Sequence, residues 1–130
     1  MNVKLPRTER LPCPRSGHSA SLYNGQMYVF GGKNDDSEKL NDLWSFNIHD
    51  YNWREIRVKN PETIPVARSG HTTDIYRGYL VLFGGIQDVT KELNDVVLYS
   101  FKTNEWICCQ EDVHMSPRKG RVQNYTSPPD

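Results

Sequence analysis

Two tetrapeptides in this chain set a guanidinium beside an imidazole: Arg15-Ser16-Gly17-His18 and Arg68-Ser69-Gly70-His71. Imidazole titrates near neutrality, moves protons and ligates metals. A guanidinium fork grips carboxylates with two parallel hydrogen bonds, and a serine beside a base can act as a nucleophile. Asn41-Asp42 and Asn94-Asp95 add oxygen donors of the kind hard cations take, and Cys13, Cys108 and Cys109 add thiols.

Recurrence decides among these chemistries. A single active site is built once, whereas a structural contact repeats with its unit. His18 and His71 therefore read as rings that hydrogen-bond backbone at the start of a strand. The Asn-Asp pairs lack the ligand density of a calcium loop and suit local turn capping. Ser16 and Ser69 are not oriented toward a base merely by preceding Gly-His. The chain has no Gly-x-Ser-x-Gly elbow, no phosphate-binding Gly-Lys-Ser/Thr loop and no His-Glu-x-x-His. No residue is assigned a catalytic, cofactor-binding or metal-binding role, and no cofactor is expected. Arg15 and Arg68 keep two roles open: binding an acidic ligand, or bracing their own unit through Asp42 and Asp95.

The composition sets the frame for any such site. The chain has 130 residues, with 16 Lys+Arg balanced by 16 Asp+Glu, a length that suits one ordinary domain. Zero net charge and the lack of a long basic run give no electrostatic ground for nucleic acid or an anionic membrane as partner. Ile, Leu, Val and Phe number 29, enough for a thin core. The longest apolar or aromatic run, Tyr79-Leu80-Val81-Leu82-Phe83, is far shorter than a membrane span. The residues after Met1 lack the apolar stretch of a secretory signal. An odd set of three cysteines, two of them adjacent, points to free thiols in a reducing compartment, hence the cytoplasm.

An internal repeat organises everything else. At a constant offset of 53 positions, Tyr23 matches Tyr76, Gly25 matches Gly78, and Phe30-Gly31-Gly32 matches Phe83-Gly84-Gly85. Leu40-Asn41-Asp42 matches Leu93-Asn94-Asp95, and Trp53 matches Trp106. From 15–57 to 68–110, 14 of 43 positions are identical. Each unit reads as four short strands. In the first they are Ser19–Tyr23, Gln26–Phe30, Asp42–Asn47 and Asn52–Arg57, with a hairpin signal at Asn24-Gly25. In the second they are Thr72–Tyr76, Tyr79–Phe83, Asp95–Phe101 and Glu105–Cys109. The apolar second strands look buried on both faces and are expected to stop at Gly-Gly, leaving loops Lys33–Lys39 and Ile86–Glu92. No helical periodicity appears, so the fold class is all-β. Phe30, Phe83, Trp53 and Trp106 are expected in the core.

The Arg-Ser-Gly-His start, the apolar strand ending in Gly-Gly, and an aromatic followed at fixed spacing by Trp (Phe46 and Trp53, Tyr99 and Trp106) together resemble the Kelch repeat. The resemblance covers residues 12–110 and implies that each unit is one four-stranded antiparallel blade of a β-propeller. On it the chain divides into an extended segment (1–11), a first repeat (12–63), a second (64–115), and an incomplete third repeat or disordered tail (116–130). The third would begin at Ser116-Pro117-Arg118-Lys119-Gly120, with Arg121 where His is expected. Propellers close with four to eight blades, so two blades imply a partial propeller. The expectation is a fragment of a longer one, with self-association of copies and a truncated product without its own function as alternatives.

The resemblance implies a non-catalytic module that binds another protein through loops on one face. In Kelch-like propellers these loops enter the first strand and join the second to the third. The contact candidates are then Arg15, Arg68, Lys33, Asn34, Asp35, Asp36, Gln87 and Asp88. The alternative from another class is a remnant of a propeller enzyme such as a copper-radical oxidase.

Overall fold

The computed structural model describes residues 10–110. The expectations for residues 1–9 and for a third repeat or tail in 116–130 lie outside them. Eight strands form two antiparallel sheets of four, each a meander in chain order. The first sheet holds β1 (Ser19–Tyr23), β2 (Gln26–Lys33), β3 (Lys39–Asn47) and β4 (Asn52–Glu55). The second holds β5 (Thr72–Tyr76), β6 (Tyr79–Asp88), β7 (Lys91–Ser100) and β8 (Glu105–Gln110). A short 3-10 turn at Pro61–Thr63 lies in the connection.

The hairpin signal at Asn24-Gly25 is a turn with φ of 52° and 78°, and Arg77-Gly78 repeats it at 50° and 84°. Two successive left-handed residues give the turn the same twist as the strands it joins. The glycine pairs do not end their strands, contrary to the sequence expectation. Gly31 and Gly32, with φ of 65° and 100°, form a bulge. Pairing then resumes at Gly32 with Leu40 and Lys33 with Lys39. Positive φ lets the backbone bend and keep its ladder, where other residues would break it. The first loop therefore shrinks to 34–38, and the second to a turn at Val89-Thr90 between paired Asp88 and Lys91. The third strands start earlier than expected, at Lys39 and Lys91, and β4 ends at Glu55 rather than Arg57.

Residues directly opposite in an antiparallel pair share a face, so the registers sort each sheet into two. In the first sheet, Tyr23, Tyr28, Phe30 and Leu43 lie on one face, and Leu22, Met27, Phe46 and Trp53 on the other. In the second, the counterparts of this latter set, Ile75, Leu80, Tyr99 and Trp106, press onto the Phe30 face of the first. The core is this seam: Phe30, Leu43, Leu80, Leu82, Val97, Tyr99 and Trp106 are all buried. Phe30 meets Trp106 edge to face at 5.1 Å. Tyr23 stacks flat on Phe101 at 3.9 Å.

Two of the four expected core aromatics are corrected by this arrangement. Phe30 is 0% exposed but Phe83 is 50% exposed, because a sheet covers the first and none among the described residues covers the second. Trp106 is buried while Trp53, on the uncovered face of the first sheet, is only half-buried. For the same reason β6 is not buried on both faces: Leu80 and Leu82 are enclosed, while Val81 and Phe83 are not.

Trp106→Ala is expected to destabilise the chain by about 3–5 kcal/mol, enough to unfold a small domain of ordinary stability. Val89→Ala, at a side chain 99% exposed on a turn, is expected to stay within about 0.5 kcal/mol of wild type. Urea unfolding followed by tryptophan fluorescence and circular dichroism compares the two.

Candidate functional site

The repeated Arg-Ser-Gly-His segments enter β1 and β5; each is braced within its own blade, and the second is also tied to the neighbouring blade. The Arg68 guanidinium bonds both oxygens of Asp95, at 2.6 and 2.8 Å. It also donates to the carbonyls of Gly84 and Val66, each at 3.0 Å. Arg15 repeats the pattern on Asp42 at 2.7 and 2.8 Å, with the carbonyls of Gly31 and Cys13. Burial pushes the Asp42 carboxyl up, but hydrogen bonds from Arg15 and Trp44 and the Arg15 charge outweigh it and hold it below its usual value.

The second tie crosses between the sheets. The main chain of Arg68 accepts from Gly32 N at 2.8 Å and donates to Leu40 O at 3.0 Å, and Gly70 N donates to Gly17 O at 2.8 Å. His71 Nε2 lies 2.9 Å from both Ser19 Oγ and the Phe30 carbonyl. A carbonyl only accepts, so Nε2 carries the proton. Nδ1 is then bare, and it is buried without a hydrogen-bond partner among the described residues. Burial lowers this imidazole to about 4, opposed by the Phe30 carbonyl bond and reinforced by the charges of Arg68 and His18. The fit depends on glycine: a Cβ on Gly31 would stand 3.0 Å from both Arg68 O and His71 Cε1. His18 has the same place in its own repeat but is exposed.

The same end of the sheets carries the loops. Ser16 pairs with Lys33 and Ser69 with Ile86, so each entering segment lies beside the exit of the second strand. Asn34 Oδ1 takes the amides of Asp36 and Glu38 and shapes the first loop. Asp88 does this for the second by accepting from Thr90 N and Oγ1, which lowers its carboxyl, and it also feels the charge of Lys39. Lys33, Asp35, Asp36, Asp88 and Val89 are exposed there, with Asn34 and Gln87 partly so.

The two four-stranded meanders repeat the same Arg–Asp brace and the same Gly-Gly bulge. The family profile described as the KLHDC2/KLHL20/DRC7 Kelch-repeats domain matches residues 2–125. The chain belongs to the Kelch-repeat family. Kelch domain-containing protein 2 of Bos taurus is 35% identical over 102 residues, covering 77% of this chain. Kelch domain-containing protein 3 of Rattus norvegicus is 38% identical over 91 residues, covering 69%. The Rho GTPase-activating protein gacHH of Dictyostelium discoideum is 37% identical over 98 residues, covering 74%. The chain spans 24%, 23% and 6% of the length of these three proteins, respectively.

As a pair of Kelch blades, the structure separates the contact candidates. Arg68 is 0% exposed, with its fork wholly engaged by Asp95 and carbonyls, so it cannot touch a partner and is removed from the set. The Arg15 side chain is 5% exposed and turned to Asp42. Lys33, Asn34, Asp35, Asp36, Gln87 and Asp88 do gather at one end of the blades. His71 faces Phe30 and Ser19 rather than a cleft. Among the described residues, no group of three or more His, Cys, Asp or Glu could hold a metal ion. Cys13 and Cys108 are free and exposed. No helix of the described residues is long and apolar enough to cross a membrane. Sequence reasoning missed that His71 and the Arg68 backbone bond the preceding blade rather than their own. It also missed Phe101, whose counterpart Ile48 is not aromatic.

Asp95→Ala strands a buried guanidinium and is expected to destabilise by about 3–5 kcal/mol. Asp42→Ala is expected to do less, since the Asp42 side chain is 25% exposed against 11% for Asp95; urea unfolding ranks them. His71 gives a pH dependence. Unfolded, the ring titrates at its ordinary 6.5; folded, at about 4. Between those values the unfolded chain binds the extra proton, so this ring's contribution to stability is present above 6.5 and lost as pH falls to about 4. Urea midpoints measured across that window are expected to fall in wild type and to fall less steeply in His71→Gln.

Proposed function

We propose that this Kelch chain is a non-catalytic protein-binding module. Its contact surface is the end of the blades that carries Lys33, Asn34, Asp35, Asp36, Gln87, Asp88 and the Val89 tip. One observation carries the proposal: the braces and Gly-Gly bulges match between repeats, while the loops at this end, 33–39 and 86–92, share only Asp35 with Asp88. Lys33 stands against Ile86, Asp36 against Val89, Glu38 against Lys91 and Lys39 against Glu92, two of these four reversing charge. A rigid frame with variable exposed loops is the usual physical design of a recognition surface. Membership in a family of interaction modules supports it, as does the burial of His71 between the blades, where it serves the fold. The blades work within a larger closed propeller, and the exposed thiols of Cys13 and Cys108 fit work in the reducing cytoplasm.

The test uses a protein captured from extract by the wild-type chain and then purified. Its affinity is compared for the wild type, a loop variant (Lys33→Glu, Asp36→Lys, Val89→Glu) and a variant of the opposite turns (His49→Ala, Asp50→Lys, Lys102→Glu). The loop variant is expected to bind at least about tenfold more weakly, a loss of about 1.4 kcal/mol, and the other variant to bind normally. Loss confined to the opposite turns would overturn the assignment.

A further inference from the structure

The connection between the blades is built into the seam rather than laid over it. It leaves β4 at Ile56, whose amide donates to Leu43 O at 2.8 Å. It then crosses to the turn before β8, where Asn104 holds it twice. Asn104 Nδ2 donates to Arg57 O and Asn104 O accepts from Lys59 N, each at 2.8 Å. Asn60 Nδ2 donates to Glu105 Oε1 at 2.9 Å, and on the way back Asn41 Nδ2 donates to Pro65 O at 3.2 Å. Clamped to both blades in this way, the connection leaves a cavity of about 230 Å³. Its apolar walls are Leu43 of the first blade, Ile56, Val58 and Ile64 of the connection, and Trp106 of the second blade. The cavity therefore belongs to the joined pair of blades and not to the outer face of either.

The charges gathered at this cavity do not balance. Asp42 lines it, but both its oxygens are taken by Arg15, at 2.7 and 2.8 Å. Glu55 lines it too, and its Oε1 is shared by Arg57, at 3.3 Å, and Arg10. Three guanidiniums thus stand against two carboxylates, which leaves one positive charge of this group unanswered. Arg57 itself lines the cavity with its side chain 75% exposed, so that charge stands at the mouth. We infer that the cavity is a binding site for a small carboxylate with an apolar body. The body enters among Leu43, Ile56, Val58, Ile64 and Trp106, and the carboxylate meets Arg57. A guanidinium fork takes a carboxylate through charge-assisted hydrogen bonds, and the walls contribute through apolar burial. The volume lies below that of sites for drug-sized ligands, about 300–1,000 Å³. The occupant is therefore a short alkyl chain or a single ring rather than a polypeptide segment. Walls already fixed by the clamped connection lower the cost of ordering the site. The inference is independent of what binds the loops.

Heteronuclear NMR titration of the full chain with hexanoate, hexanol and hexylammonium tests it. The amides of Ile56, Val58 and Ile64 and the Trp106 indole N–H report on the cavity. The three probes share their apolar chain, and hexanoate alone carries the complementary charge. Hexanoate is expected to shift these signals saturably. It is expected to bind at least about tenfold more tightly than hexanol, the scale of one hydrogen bond to a charged group, with hexylammonium weakest. Arg57→Gln removes the surplus charge at a mostly exposed side chain, so a dispersed spectrum is expected to show that the variant folds. In it hexanoate is expected to fall to the affinity of hexanol, and hexanol to bind as in wild type. Arg54→Gln, at an exposed position of β4 outside the cavity lining, is expected to keep the preference for hexanoate. Failure of hexanoate to shift the cavity signals saturably overturns the inference. So does equal binding of the three probes, or tighter binding of hexylammonium. A preference that survives Arg57→Gln, or that Arg54→Gln removes as fully, overturns it as well.

Discussion

Everything in this fold hangs on the segment Arg68–His71 lying against the Gly31-Gly32 bulge. There the second blade meets the first through backbone bonds, and a Cβ on Gly31 would press on Arg68 O and His71, while one on Gly32 would collide with Ser16 and His18 of its own blade. The Arg68 side chain points away, into its own blade, where Asp95 and two carbonyls satisfy it. One residue thereby fixes the entry of a blade with its side chain and the seat of that blade on its neighbour with its backbone. The seam is polar at this end and aromatic further in, where Phe30 meets Trp106 and Tyr23 meets Phe101. The polar end sets the register and the aromatic part supplies the apolar burial, which is the dominant favourable term in folding.

That division explains why the buried charges do not signal chemistry. A buried guanidinium is tolerable only when paired and fully hydrogen-bonded, and both repeats meet that condition with the same residues. The neutral His71 ring follows the same logic: one nitrogen is used by the neighbouring blade and the other is shut away from water. Groups spent on structure in this way leave recognition to the loops beyond them, whose own polar residues, Asn34 and Asp88, hold the turns in shape.

What the sequence makes legible is whatever is local or repeated. β1 and β5 have the bounds read from pattern and turn chemistry, because alternation and a two-residue hairpin are short-range signals. The Arg–Asp braces are legible because both partners recur at one offset. The strands running on through Gly-Gly are not, since glycine allows a stop and a bulge equally and pairing with β3 decides between them. Phe83 is the clearest case. Its sequence surroundings match those of Phe30, and its burial differs only because burial belongs to the neighbour and not to the residue. Likewise no pattern within one repeat tells that His71 bonds into the other.

Amide hydrogen exchange by NMR on the full chain probes the seam most directly, since it reports the opening of each backbone bond separately. The amides of Gly32, Arg68 and Gly70, which bond across the blades, are expected to be protected to the same degree as those inside the sheets, such as Val29 and Leu82. Exchange at these three positions as fast as at the exposed Asp35, with the sheets still protected, would mean that the blades are not locked together. It would contradict the seam as the constraint on which the fold depends.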